Sequence, residues 1–126
     1  ANSQGSSARY RVRGIAPKAQ IFSIRVLNAD GVGRDSWVIA GIDRVIQLKR
    51  AGRNIRVLNL SLGRPVRGSY QNDALCQAVE RAWREGIVVV VAAGNEGRNN
   101  SAGTGGYGLI TAPGNVHDSY CAASTM

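Results

Sequence analysis

The chain has 126 residues, enough for one domain with its own core and too few for two. Hydrophobic residues make up 44% and charged residues 19%, an ordinary globular balance, and no apolar run approaches the roughly 20 residues of a membrane helix. The formal charge of +8 favours acidic partners, but the basic residues are scattered from Arg9 to Arg98 with only a modest cluster at Arg9, Arg11 and Arg13. No basic helix and no interleaved aromatic residues accompany them, so they read as a solvated surface, and neither nucleic acid nor membrane is expected as a partner.

The opening "ANSQGSSARY" lacks the basic and apolar regions of a signal peptide. With no initiator Met and the closing "CAASTM", both ends read as interior points of a longer protein. Cys76 and Cys121 are too few for a disulfide framework and have no C-x-x-C spacing. Cys76 reads as a buried free thiol within a helix, with a Cys76–Cys121 bridge as the alternative.

In chain order, residues 1–14 read as loop. "QIFSIRVL" (20–27) reads as a strand from its β-branched and aromatic content. "NADGVGR" (28–34) is a turn, and Asp35 or Ser36 then caps a helix reaching about Ala51. Val38, Ile39, Ile42, Val45 and Ile46 lie on one face of that helix, and Gly52 stops it. "IRVLNLSLG" (55–63) is a second strand and 64–72 a loop. Residues 73–85 form a second helix ended by Gly86, with Leu75, Val79, Ala82 and Trp83 on one stripe. "IVVVVAA" (87–93) is a strand with no polar face, which predicts burial on both sides. Residues 94–114 read as loop, and a short strand occupies 119–124.

Alternating strands and helices predict an α/β fold, a partial doubly wound parallel sheet with crossover helices in a single partial domain. Ligands of such sheets bind outside the carboxyl ends of the strands, here "LNADG", "LSLGR" and "AAGNEG".

Three tempting patterns fail on context. Gly103, Gly105 and Gly108 match G-x-G-x-x-G, but no strand leads directly in and no helix follows. His117, Asp118 and Ser119 have the residue types of a hydrolase triad, yet sequence neighbours cannot converge in line. Asn59 and Asn99 both head N-x-Ser acceptor sequences, a weak signal at either place.

"ADGVG" followed by "SW", then "NLSLG", then "AAGNEG" with "GGYG" after it, resembles the subtilisin-like serine protease family. The segment "GIAPKAQIFSIRVLNADGVGRDSW" resembles the stretch that follows that family's catalytic histidine helix. The likeness runs over roughly residues 14–114 with order and spacing kept, and implies the family's three-layer fold. It implies that Asn95 donates its side-chain amide to the oxyanion of the tetrahedral intermediate, held there by a rigid strand. It implies that Gly31, Val32 and Gly33 form one edge for an extended peptide or protein substrate, and Ser61, Leu62 and Gly63 the opposing edge. Ala92, Ala93 and Gly94 would wall the primary specificity pocket and Gly106 would form its base. Val38, Leu62 and Leu75 would line a second apolar pocket, where the family often places an aromatic residue and this chain has Asp35.

The family's "GTSMA", "HGTH" and "DTG" or "DSG" blocks are absent, and "ASTM" (123–126) is only an echo of the first. The expectation is a central segment of a secreted or extracellular serine endopeptidase, inactive by itself, with no metal site and no cofactor identified. The family's calcium-loop sequence "NNSIG" is absent before "GIAP", and calcium is left open for the parent protein. The alternative reading is a non-catalytic basic α/β domain binding polyanions or protein partners. In the family a strand lies between those resembling 21–27 and 57–61 and precedes this segment in the chain. A one-strand gap is therefore expected, together with self-association of the isolated chain or displacement of its first strand.

Overall fold

The computed structural model describes residues 14–95, 110–117 and 120–122, the last three by backbone alone. Helix α1 spans Asp35–Arg50 and buries Val38, Ile42, Val45 and Ile46, the stripe set by the 3.6-residue period. Lys49 and Arg50 lie in its last turn, where cations suit the helix dipole, and Gly52 at φ +88° turns the chain out. Its start departs from expectation. Arg34 holds the cap position with no side-chain cap, and Asp35 sits inside the first turn, drawn instead to Arg64.

Helix α2 spans Ala74–Arg84, after a single 3-10 turn at Tyr70–Asn72 in what the sequence read as loop. Here a cap does form. Asp73 Oδ1 accepts from the backbone N–H of Leu75 (3.0 Å) and of Cys76 (3.4 Å). Gly86 at φ +72° ends it.

Strands β1 (Val57–Leu60), β2 (Val88–Ala92) and β3 (Tyr120–Ala122) form one parallel sheet in the order β1-β2-β3. Val57 pairs with Val88 and Leu60 with Val91, and on the other side Val90 pairs with Tyr120 and Ala92 with Ala122. Helix α2 is the crossover between β1 and β2, so this is the expected α/β arrangement. The two helices pack on each other, and both share one core with Leu60, Ile87, Val89 and Val91 of the sheet region.

Two expectations need correction. Residues 20–27 form no strand. Ile24 and Val26 pack against the core, but among the described residues no backbone hydrogen bond reaches residues 20–26. A strand is defined by its partner, and the neighbouring position holds none of the described chain. The second correction concerns β2. Val89 and Val91 are fully buried, yet Val88 on the opposite face is 40% exposed and Val90 half-buried. Among the described residues both helices feed the same core, so only one face of β2 is covered.

Candidate active site

The carboxyl end of β2 continues through half-buried Ala93 to Gly94, whose φ of +106° few side chains tolerate. The next residue, Asn95, is exposed and is the last described before residue 110. The ladder, buried on one face, ends at Ala92, the chain turns at Gly94, and Asn95 is exposed.

The segment Thr111–Ala112 fixes this turn against the end of β1. Thr111 donates from its backbone N–H to the carbonyl of Ala93 (2.9 Å) and from its hydroxyl to the same oxygen (3.2 Å). Ala112 exchanges two backbone hydrogen bonds with Arg64, at 2.9 and 3.0 Å. Thr111 is itself buried. A Cβ added at Gly63 would stand 2.5 Å from its hydroxyl oxygen, and one added at Gly94 would stand 2.8 Å from its methyl group. Glycine at both positions is therefore a packing requirement. It lets residues 61–63 and 92–94 close on one threonine.

A second tie joins that edge to the start of α1. Arg64 donates from Nε to Asp35 Oδ2 (2.8 Å) and from Nη2 to Asp73 Oδ2 (2.7 Å). Its Nη1 donates to the carbonyl of Pro65 (3.1 Å). One guanidinium so links the first turn of α1, the chain after β1 and the cap of α2. Partial burial opposes the charges, but the mutual hydrogen bonds outweigh it. Arg64 is held above its ordinary pKa, and Asp73, which also accepts two backbone N–H groups, is held below its own.

The Gly31–Gly33 edge is built from its own turn. Asn28 accepts at Oδ1 from the backbone N–H of Asp30 (3.1 Å) and of Val32 (2.8 Å), and its N–H donates to the carbonyl of Val32 (2.8 Å). Gly31 lies at φ +75°, and a Cβ on Gly33 would collide with Leu27 at 2.5 Å. Val32 is left exposed on the rim. Asp35 is two residues beyond Gly33 and Arg64 follows Gly63, so their ion pair ties the two edges together.

The remaining expected residues divide. Val38 and Leu75 belong to the buried core and Leu62 packs against it half-buried, so they present little surface to a ligand. Gly106 and the glycine pattern at 103–108 lie outside the described residues, as do Asp118 and Ser119. His117 is exposed in a turn. Cys76 is a free buried thiol whose pKa is pushed up to about 11, chiefly by burial and then by the nearby Asp73 carboxylate. Among the described residues no three His, Cys, Asp or Glu side chains group as metal ligands would. No described helix is long and apolar enough to cross a membrane. Sequence reasoning missed Arg64 and Thr111. Arg64 lay in a loop with nothing in its spacing to pair it with Asp35 and Asp73. Thr111 was one more small residue in a Gly-rich stretch.

Comparison with known proteins gives consistent results. The subtilase family profile (Peptidase_S8) matches residues 1–118. Subtilisin E of Bacillus subtilis (strain 168) is 44% identical over 96 residues, which are 76% of this chain and 23% of that protein. Subtilisin DY of Bacillus licheniformis is 42% identical over 96 residues, again 76% of this chain and 32% of that protein. Among solved structures, Sphericase superposes with a TM-score of 0.68 at 26% identity, over 87% of this chain and 31% of that one. S41 Psychrophilic Protease does so with a TM-score of 0.67 at 28% identity and the same coverage. The chain thus spans less than a third of the relatives it matches, but its sequence and its fold agree on what it is: it belongs to the subtilase family of serine proteases.

Proposed function

We propose that this chain supplies the substrate cleft and the oxyanion donor of a subtilisin-like serine endopeptidase, which hydrolyses peptide bonds by acyl transfer. The observation that carries the reading is the strap at Thr111–Ala112, which clamps Gly63 and Gly94 and leaves Asn95 exposed one residue past the turn. A donor on so fixed a backbone meets the developing negative charge with little reorganisation, the condition under which one hydrogen bond is worth most. Residues 31–33 and 61–63 would hold an extended peptide between them by backbone hydrogen bonds, with little demand on sequence. Ala92–Gly94, with Gly106, would shape the first side-chain pocket. The nucleophile, base and orienting carboxylate would come from other parts of the full protein, which would act outside the cell, and this chain alone would be inert.

The test is Asn95→Ala in the complete enzyme. The expected result is a turnover number lower by about 10²–10³ with a small change in KM, because the donor acts on the transition state. An unchanged turnover number would remove Asn95 from the oxyanion site. The isolated chain should also take no label from a fluorophosphonate, since acylation needs an activated hydroxyl. Stoichiometric labelling of any serine here would overturn the division of roles.

A further inference from the structure

Thr111 lies between the chain that leaves β1 and the chain that leaves β2. All three heavy atoms of its side chain stand against the two glycines there. Oγ1 is 2.5 Å from where a Cβ would stand on Gly63 and 3.1 Å from where one would stand on Gly94. Cγ2 is 2.8 Å from the second of those points, and Cβ is 3.2 Å and 3.5 Å from the two. Gly63 is exposed and Ala92, Ala93 and Gly94 are half-buried, whereas Thr111 is only 6% exposed. The threonine therefore sits at the bottom of the gap between the two segments and not across its mouth. The strap that carries it is anchored along its length. Thr111 makes two hydrogen bonds to Ala93, and Ala112 two more to Arg64. Further on, Pro113 is fully buried, and the Cys76 thiol donates to Asn115 Oδ1 (3.5 Å), which ties the strap to α2.

We infer that Thr111 sets the size of the first side-chain pocket. It closes the floor between residues 61–63 and 92–94, so the complete enzyme cleaves after small uncharged residues such as alanine and serine and disfavours aromatic ones. The inference rests on the reading of those two segments as the walls of that pocket. Walls of glycine and alanine would by themselves admit a large ring, so the floor decides what enters. A buried aromatic side chain covers about 150–250 Å² of surface, and the three heavy atoms of the threonine take the deepest part of that space. Close-packed interiors yield little, and an oversized guest must displace what already fills the site. Here displacement would break the hydrogen bonds of the strap. The chemistry of the floor adds to its shape. The hydroxyl proton is committed to the Ala93 carbonyl, so a guest meets a methyl group and oxygen lone pairs but no donor. Neither the floor nor residues 61–63 and 92–94 carry a charge. Arg64 follows Gly63 directly, but its guanidinium is engaged by Asp35, Asp73 and the carbonyl of Pro65.

The experiment uses the complete enzyme and two peptides identical except for the residue before the scissile bond, alanine or phenylalanine. The value of kcat/KM for the alanine peptide is expected to exceed that for the phenylalanine peptide by about ten-fold or more, the discrimination that a few misfitting atoms supply. Thr111→Gly should move the ratio toward phenylalanine by about ten-fold or more. Thr111→Ser keeps the hydroxyl bond to Ala93 and loses only the methyl group against Gly94. It should move the ratio the same way by a smaller factor, and it decides the matter if the glycine variant does not fold. Thr111→Val, with the same shape and no hydroxyl, should leave the ratio unchanged. Loss of stability alone lowers the rates for both peptides together and does not touch their ratio. A native preference for phenylalanine, or a ratio unmoved by the glycine and serine variants, would overturn the inference and leave the protease reading standing. A valine variant that shifts the ratio as far as the glycine variant would also overturn it, since hydrogen bonding and not size would then decide. A complete protein that cleaves no peptide at all would overturn the protease reading and the inference with it.

Discussion

Residues 20–27 and 88–92 are two apolar, β-branched stretches of similar length in the same α/β layout, and only one of them is a strand. Val88–Ala92 has a partner on each side and two of its valines fully buried. Residues 20–26 pack Ile24 and Val26 against the same core, yet their backbone bonds to no described residue and Ile21 stands open. Side-chain burial was thus achieved on both sides of the molecule, and backbone pairing on one. The difference teaches that hydrophobic content sets where a segment packs, while ladder formation depends on which segment lies beside it.

If the β2 side is the closed half of the molecule, its changes must be the most destabilising. Ile87→Ala, at 1% exposure just before β2, is expected to lower stability by about 2–5 kcal/mol in urea unfolding. A loss under about 1 kcal/mol would mean that this half is loosely packed as well. Arg64→Ala comes next, at roughly 1.5–3 kcal/mol, because it strips Asp35 and Asp73 of their shared charge-assisted partner. The same variant sharpens the site reading. It should relax the tie between the 31–33 and 61–63 edges and disturb amide shifts in both, whereas a merely local role would move only the second.

Titration discriminates further. Asp73 has its folded pKa depressed, so its stabilisation is present above the unfolded value near 4 and is lost as pH falls through the folded one. Asp73→Asn should therefore be less stable than the parent near neutral pH and converge on it in acid. Cys76 has the opposite sign. Its folded pKa is raised to about 11, so its contribution is intact below the unfolded value of about 8.5 and is lost as pH rises toward 11. Alkylation followed by mass mapping at pH 8 should leave Cys76 unmodified until denaturant is added. Rapid native-state labelling would show the α2 side opening locally.

The smallest effect belongs to the open half. Ile21→Ser is expected to change stability by no more than about 0.5 kcal/mol. Amides of residues 20–26 should exchange rapidly with deuterium while those of Val89 and Val91 stay protected. Protection over residues 20–26 in the free chain would abolish the contrast between the halves.

Much of the layout was legible because local rules were strong. The stripe through Val38, Ile42, Val45 and Ile46 and the stop at Gly52 bounded α1 to within one residue. Gly86 did the same for α2, and "VVVVA" could hardly be anything but a strand. The cap of α1 was misread because Asp35 is a cap residue by type, whereas in the fold it lies in the first turn and pairs with Arg64, 29 residues later. The burial of both faces of β2 was misread for a related reason: composition shows that no face is polar, but not that anything covers each one.

By itself, then, the sequence determined the helices, their ends and the turn chemistry at Gly31, Gly86 and Gly94, all of which arise from forces acting within a few residues. It also determined the family, because the blocks around the strand ends keep their order and spacing. Only the tertiary structure decided that Thr111 packs against Gly63 and Gly94, that one arginine joins two helix starts, and that residues 20–26 pack on the core with no strand partner among the described residues. Each of those is a contact between segments far apart in the chain. No local propensity encodes such a contact, because its free energy exists only once both sides have been brought together.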